Sequence, residues 1–418
     1  MRICMFSRIM PAHAAGGMQD HVQTLSAGLV RRGHHVSVIT SARADDIEFD
    51  SVDGVETFFL KGTKVGRYSN AFWSAAARKF EELHAQEPFD VLHSQSIGAY
   101  GVYKNRLPRK YHLPLVMSLH GTHFDVVTTS WHTDFSLTNP IGVARFSAIA
   151  AHMFLIYITR DLYFIRGSDV VIATSDADVW KYHTFYRVGD AHIRKVYNGI
   201  DVHLFAPSPI SDRQSLRAAL NIAPTAKIIL ALARLQKDKG VQNVIAVIPQ
   251  VLKRMRAVLI VVGDGDYRAA LESMARELDV AEHVRFVGAQ SLAECARYFN
   301  LCDVFVDPTL RTDGYDLTIA EAMACAKPVI VSDLGANSTL IDAATRRDGI
   351  LIPRGDKDAL LREILRVLND PTLAKQMGER AREKIAARFS IEAMVDGMVA
   401  VYAEWLACGV KRESKIGT

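Results

Sequence analysis

No Cys-x-x-Cys pair occurs in this sequence, and its five cysteines, Cys4, Cys295, Cys302, Cys325 and Cys408, are scattered and odd in number. That arrangement indicates neither a disulfide framework nor a zinc site, and it fits a reducing cytoplasm. No Gly-Lys-Ser/Thr phosphate loop is present, which removes the P-loop NTPases. Gly263-Asp264-Gly265-Asp266-Tyr267-Arg268 opens like a dinucleotide fingerprint but lacks the third glycine, which argues against NAD. An excess of one charge is also missing: 50 Lys and Arg face 46 Asp and Glu, a net +4, too small a bias for a nucleic-acid binder. The opening run Met1–Ser7 is too short for a signal peptide. The apolar stretch 146–158, flanked by Arg145 and Arg160, falls short of the ~20 residues of a membrane span, so it is expected to be a buried or surface-lying helix.

What is present is a folding chain. Hydrophobic residues make up 49% of the 418 and charged residues 23%, which is enough apolar material for a large core, and the length suggests two domains. Short β-rich runs at 2–7, 35–40, 55–60, 89–93, 114–119 and 169–174 alternate with amphipathic stretches such as 18–32. A second series runs through 227–232, 257–262, 283–287, 303–306, 328–331 and 349–352, separated by helical patterns at 240–254, 266–278, 291–299, 317–325 and 356–369. Such alternation predicts α/β architecture: parallel sheets with helices on both faces. The segment 203–215, with two prolines and no periodicity, is the best linker. The expectation is therefore two doubly wound, Rossmann-like domains, 1–204 and 210–390, facing across a cleft. A helix and tail over 391–418 would cross back to pack on the first domain.

Four places have residues suited to chemistry. In 311–325, Gly314 precedes a helix whose free N–H groups suit a diphosphate. Glu321 lies one turn in, within reach of ribose hydroxyls, and Asp313 sits eight residues earlier on the loop. The plainer reading is an ordinary capped helix in a crossover. In 233–240, Arg234 and Lys239 follow a strand at the edge where doubly wound sheets bind ligands; a solvated basic loop is the alternative. Gly16-Gly17, after the first strand, would let a ligand approach the backbone, or simply make a turn. His120, just past strand 114–119, is either a cleft residue or a structural histidine. His120 and His123 lack a convincing third metal ligand. Asp176, after strand 169–174, reads as a helix cap.

Taken together and in order, Gly16-Gly17, Gly33-His34-His35-Val36, His120-Gly121, Asn198-Gly199-Ile200-Asp201, Arg234 to Gly240, Gly263-Asp264-Gly265 and the 313–321 segment resemble retaining glycosyltransferase family 4, the group 1 type with the GT-B fold. The resemblance spans nearly the whole chain. It implies transfer of a sugar from a nucleotide diphosphate, with a UDP-sugar favoured, to a hydroxyl acceptor, with retention of configuration and no metal or other cofactor. It implies a catalytic set of His120, Asp313, Arg234 and Lys239. The implied donor-binding set is Gly16, Gly17, Arg234, Lys239, Asp313, Gly314, Tyr315, Asp316, Leu317, Thr318 and Glu321. Two positions depart from the pattern. Asp313 stands where such enzymes usually have Glu, and Asp316 where they have Gly. Asp316 either caps the helix from Leu317 or meets the donor sugar.

The acceptor side is less legible; a glycan, a lipid-linked intermediate or a small molecule all fit. Lys104, Arg106, Arg109 and Lys110, interleaved with Tyr103 and Tyr111, and the aromatic helix 141–165 with Arg145, Arg160 and Arg166 invite weak peripheral contact with an anionic membrane face. A solvated loop and a core helix are the alternative. Competing activities are a non-catalytic nucleotide-sugar-binding protein and a nucleotide-sugar epimerase of the same architecture.

Overall fold

The computed structural model describes residues 1–14, 16–133, 140–311 and 317–416. It divides into two compact units. The first comprises Met1–His123, Ile149–Gly199 and the chain from Ile391; the second comprises Phe124–Ala148 and Ile200–Ser390.

The first unit carries strands β1 (Arg2–Phe6), β2 (His35–Ser41), β3 (Phe49–Val52), β4 (Val55–Leu60), β5 (Val91–Gln95), β6 (Leu115–Ser118), β7 (Val170–Ala173) and β8 (Ile193–Lys195). Their order in the sheet is β3-β4-β2-β1-β5-β6-β7-β8. Only β3 runs antiparallel to its neighbour. Chain order reverses at β1, which pairs with both β2 and β5; this makes the β1/β5 edge the switch point where open sheets hold ligands. Two strands were not foreseen. β3 (FDSV) is an exposed edge hairpin partner, and β8 (IRK) is three residues long with two basic ones, so neither carries an apolar signal.

The terminal helix Ile391–Ile416 belongs to this unit. Met394, Val395, Met398, Val401 and Tyr402 enter the core beside Ile3, Val22 and Leu25. A Cβ on Gly28 would lie 2.4 Å from Val395 Cγ2, so the glycine allows the terminal helix to approach the helix Gly17–Arg31 closely. Arg32 closes the contact with Asp396 at 2.7 Å.

The second unit carries β9 (Lys227–Leu232), β10 (Ala257–Val262), β11 (Val284–Gly288), β12 (Val304–Asp307), β13 (Val329–Ser332) and β14 (Ile350–Ile352). They are all parallel, in the order β11-β10-β9-β12-β13-β14. Runs such as KIILAL and AVLIVV are apolar throughout because helices cover both faces. Here the switch point is β9/β12.

Three local expectations are corrected. The expected linker 203–215 contains the start of a helix, Ile210–Ala219, in which Leu216 alone is buried, too little to give a periodic pattern. The cap of helix Asp176–Thr184 is Ser175, whose hydroxyl accepts from Asp178 N–H at 3.1 Å; Asp176 instead pairs with Lys195 at 2.9 Å. The apolar stretch 146–158 lies in a helix running Pro140–Arg166, long and apolar enough to cross a membrane by length and composition, and only 6% of its most apolar window is buried. The helix is thus longer than the stretch alone indicated, and of the two readings, buried or surface-lying, its exposure overturns only the first.

Candidate functional site

In the second unit, the loop after β9 and the segment after β12 leave the sheet side by side at its switch point. They are stitched together by backbone. Leu310 N–H donates to the Asp238 carbonyl at 2.7 Å, and Thr309 Oγ1 donates to the same oxygen at 3.4 Å. Gly240 sits at φ +74°, and a Cβ there would lie 1.9 Å from the Pro308 carbonyl oxygen. Only glycine suits that left-handed, close-packed position.

This loop carries the two candidate phosphate ligands. Lys239 ends a short 3-10 turn, Lys237–Lys239, and is buried. Only Gly240 separates it from the helix Val241–Leu252, so its charge adds to the positive end of that helix dipole. Arg234 is exposed, and among the described residues its guanidinium takes part in no ion pair. From β12 the chain passes to the helix Leu317–Ala324, whose first two residues are Leu317 and Thr318 and in which Glu321 is buried. Asp313, Gly314, Tyr315 and Asp316 lie outside the described residues.

Gly263 and Gly265 have a different task from the one their spacing mimics. A Cβ on Gly263 would lie 1.9 Å from the Ala233 carbonyl oxygen, and one on Gly265 would lie 2.4 Å from that of Leu235. Leu235 N–H donates to the Asp264 carbonyl at 2.9 Å, and Tyr267 N–H to that of Leu235 at 3.0 Å. The glycine pair backs the Arg234 loop.

In the first unit, a chain of polar side chains runs across the carboxyl ends of β5 and β6. His120 Nε2 lies 2.6 Å from Gln95 Oε1. The amide nitrogen of Gln95 is 3.4 Å from His93 Nε2, where Ser118 Oγ also bonds at 2.8 Å. His93 Nδ1 is 2.7 Å from Tyr402 Oη. The partners assign the protons. Gln95 Oε1 can only accept, so Nε2 of His120 donates and Nδ1 of the neutral ring is left as an acceptor. By the same logic His93 accepts at Nε2 and donates from Nδ1 to Tyr402.

His21, on the helix that follows Gly16-Gly17, packs edge-on against His120 with ring centroids 4.9 Å apart. It is buried, and among the described residues neither ring nitrogen has a hydrogen-bond partner. Loss of water pushes the His21 imidazole down to about 4. Burial, and then the neighbouring His21, pushes His93 down to about 3. His120 is held well below its ordinary value by burial, then by His21, His93 and Arg8. All three rings are neutral near pH 7.

The structure thus joins Arg234 and Lys239 with the strand that leads to Glu321, and joins the Gly16-Gly17 helix with His120. His123 pairs with the buried Asp161. Sequence reasoning missed His21, His93, Gln95 and Tyr402. Their signal was faint: polar residues inside otherwise apolar strand and helix runs.

Comparison with known proteins agrees with this layout. Residues 15–204 match the family model for Glycosyltransferase Family 4, and residues 212–384 that for Glycosyl transferases group 1. The chain is 26% identical over 391 residues to N-acetyl-alpha-D-glucosaminyl L-malate synthase of Bacillus anthracis, covering 91% of this chain and 92% of that protein. It is 29% identical over 412 residues to a D-inositol 3-phosphate glycosyltransferase of Mycobacterium marinum, covering 93% and 81%. Anabaena Alr3699/HepE, solved in complex with UDP, shares the two-sheet GT-B fold, with a TM-score of 0.72 at 20% identity over 97% of this chain and 100% of that one. Each half of the chain is matched by its own model, in the order in which the two sheets follow one another, and the chain belongs to glycosyltransferase family 4.

Proposed function

We propose that this glycosyltransferase takes its sugar from a nucleotide diphosphate, a UDP-sugar first among them, and passes it to a hydroxyl acceptor with retention of configuration and without a metal ion. The observation that carries the reading is the meeting of the Arg234–Lys239 loop with the β12 segment at the switch point of the second sheet. Arg234, Lys239 and the N-terminus of the helix Val241–Leu252 belong to that one loop, an arrangement suited to a departing diphosphate. The UDP held by HepE, of the same fold, supports uracil. The malate and inositol phosphate in the relatives' names support small hydroxylated acceptors, with glycans and lipid-linked hydroxyls as further candidates.

In this reading Arg234 and Lys239 hold the diphosphate, the backbone at Gly16-Gly17 allows its close approach, and Glu321 accepts from ribose hydroxyls. Gly314 to Thr318 supply N–H groups, and Asp313 and Asp316 read sugar hydroxyls or cap the helix. The bond from the anomeric carbon to the phosphate oxygen breaks, and its electron pair leaves with the diphosphate. The acceptor oxygen bonds to the same face of the sugar, and its proton passes to the departing phosphate oxygen. His120, neutral and with Nδ1 as acceptor, takes a hydrogen bond from a donor-sugar hydroxyl. The unpartnered His21 fits the same polar ligand, since a buried polar group left unpaired costs about 1–3 kcal/mol. Among the described residues Cys4, Cys295, Cys302 and Cys325 are buried and free of disulfides, which fits a cytoplasmic setting.

The test is product analysis by proton NMR across UDP-, GDP- and ADP-sugars, with and without a chelator. The reading expects an anomeric configuration matching the donor and a rate unmoved by the chelator. An inverted product, or a rate abolished by the chelator, contradicts it; binding without turnover of any donor would point to a non-catalytic sugar-nucleotide binder.

A further inference from the structure

We propose that the helix Pro140–Arg166 and the basic turns beside it form a docking face for an anionic lipid surface. The helix is continuous: Pro140–Ile156 passes through a wide π turn, Tyr157–Asp161, into Leu162–Arg166. Its most apolar 18-residue window has a mean hydropathy of 1.7, yet no residue of Pro140–Ile156 is buried. Phe154 is 60% exposed, Leu155 56%, Ile158 48% and Tyr163 59%. An apolar surface of that extent on one element marks an interaction site rather than scattered surface hydrophobes.

The helix is anchored to the first unit at its C-terminal end. Phe164 and Ile165 are buried, with the Phe164 ring 5.6 Å from that of Tyr100 and 5.2 Å from that of Tyr103. Arg160 lies over Trp73, 5.5 Å from the ring centre, and donates to Asp161 at 2.7 Å. Four residues after Arg166 the chain enters β7, inside the sheet. With Arg145 and His152 exposed along its length, the helix suits lying in the plane of a lipid interface.

Charge selects the occupant. The Tyr163 ring packs against Tyr103 at 5.1 Å, and Tyr103 belongs to the short helix Tyr100–Lys104, which is followed by Leu107–Lys110. Lys104, Arg106, Arg109 and Arg166 are exposed around this end. Two acids at this end are already engaged: Glu81 pairs with Lys110 at 2.8 Å, and Asp169 accepts from Leu115 N–H at 2.9 Å. An apolar helix edged by cations matches a surface of acyl chains under anionic headgroups. A second copy of the same face would set these cations against their own kind.

The test is flotation of the full chain with vesicles of phosphatidylcholine alone and of phosphatidylcholine with phosphatidylglycerol, at low and high salt. Two triple variants accompany it: Phe154→Ser with Leu155→Ser and Ile158→Ser, and Lys104→Glu with Arg106→Glu and Arg109→Glu. Unchanged thermal midpoints confirm that both still fold. The wild type is expected to float with anionic vesicles and to release at high salt, and the charge-reversed variant to bind at least on the order of 100-fold more weakly. The apolar variant is expected to stay in the soluble fraction. A wild type that stays soluble beside anionic vesicles at low salt overturns the proposal. So does equal flotation of the charge-reversed variant, and so does a dimer, seen by light scattering, that only the apolar variant dissolves.

Discussion

Tyr402, on the terminal helix, accepts the Nδ1 proton of His93, a buried residue of β5 lying 309 positions earlier, at 2.7 Å. The last helix of the chain thereby sets the proton on an imidazole at the centre of the first sheet. Through Gln95 that arrangement fixes which nitrogen of His120 is left as an acceptor. Tyr402→Phe leaves a buried N–H unpaired, a loss of about 1–3 kcal/mol. A thermal midpoint lower by a few degrees is expected, with nucleotide affinity unchanged because Arg234 and Lys239, the proposed phosphate ligands, belong to the other unit. An unshifted midpoint would show that the bond contributes nothing.

Acid should weaken the first unit before it affects surface carboxylates. His21 is pushed down to about 4 and His93 to about 3, with His120 also well below its ordinary value. An unfolded chain takes up protons at these rings near pH 6.5, whereas the folded one does not, so stability is full above about 6.5 and falls as pH drops towards 4. The loss is on the order of 1 kcal/mol per imidazole for each pH unit crossed. Melting followed from about pH 7 to pH 5 should show the decline, and His21→Leu, which removes one of the three imidazoles, should make it shallower. A midpoint constant over that window contradicts the assignment.

The parts of the fold that were legible are those where burial on both faces forces long apolar runs. The strands KIILAL and AVLIVV coincide with β9 and β10 residue for residue. Edge strands β3 and β8 escaped because solvent allows them polar residues. The helix Pro371–Arg388 escaped because its buried stripe is only Met377, Gly378, Ala381 and Ile385, although Asp370 before Pro371 is a readable cap. The Arg234–Lys239 loop was legible from its place after a strand. The histidine network was not. Parallel register sets Gln95 beside Ser118, and the pleat puts His93 and Gln95 on one face. Residues 21, 93, 95, 120 and 402 meet only once the sheet and the terminal helix are assembled.

Two glycines separate backbone strain from close packing. Gly62 at φ +77° has nothing within 4 Å of a Cβ, whereas Gly240 at φ +74° would place one 1.9 Å from the Pro308 carbonyl oxygen. Gly62→Ala should cost about 1 kcal/mol and spare nucleotide binding. Gly240→Ala should cost more than about 2 kcal/mol and weaken nucleotide binding, because it pushes the loop off the β12 segment. Equal effects of the two on melting and affinity contradict the packing role of Gly240.

The most direct measurement is calorimetric titration of the wild type, Arg234→Ala and Lys239→Met with UDP and with uridine. Charge-assisted bonds to phosphate are worth about 1.5–3 kcal/mol each. Each variant should therefore bind UDP roughly 10- to 100-fold more weakly while binding uridine as the wild type does. If both variants bind UDP as tightly as the wild type, the loop after β9 does not hold the diphosphate, and the account of the donor site fails.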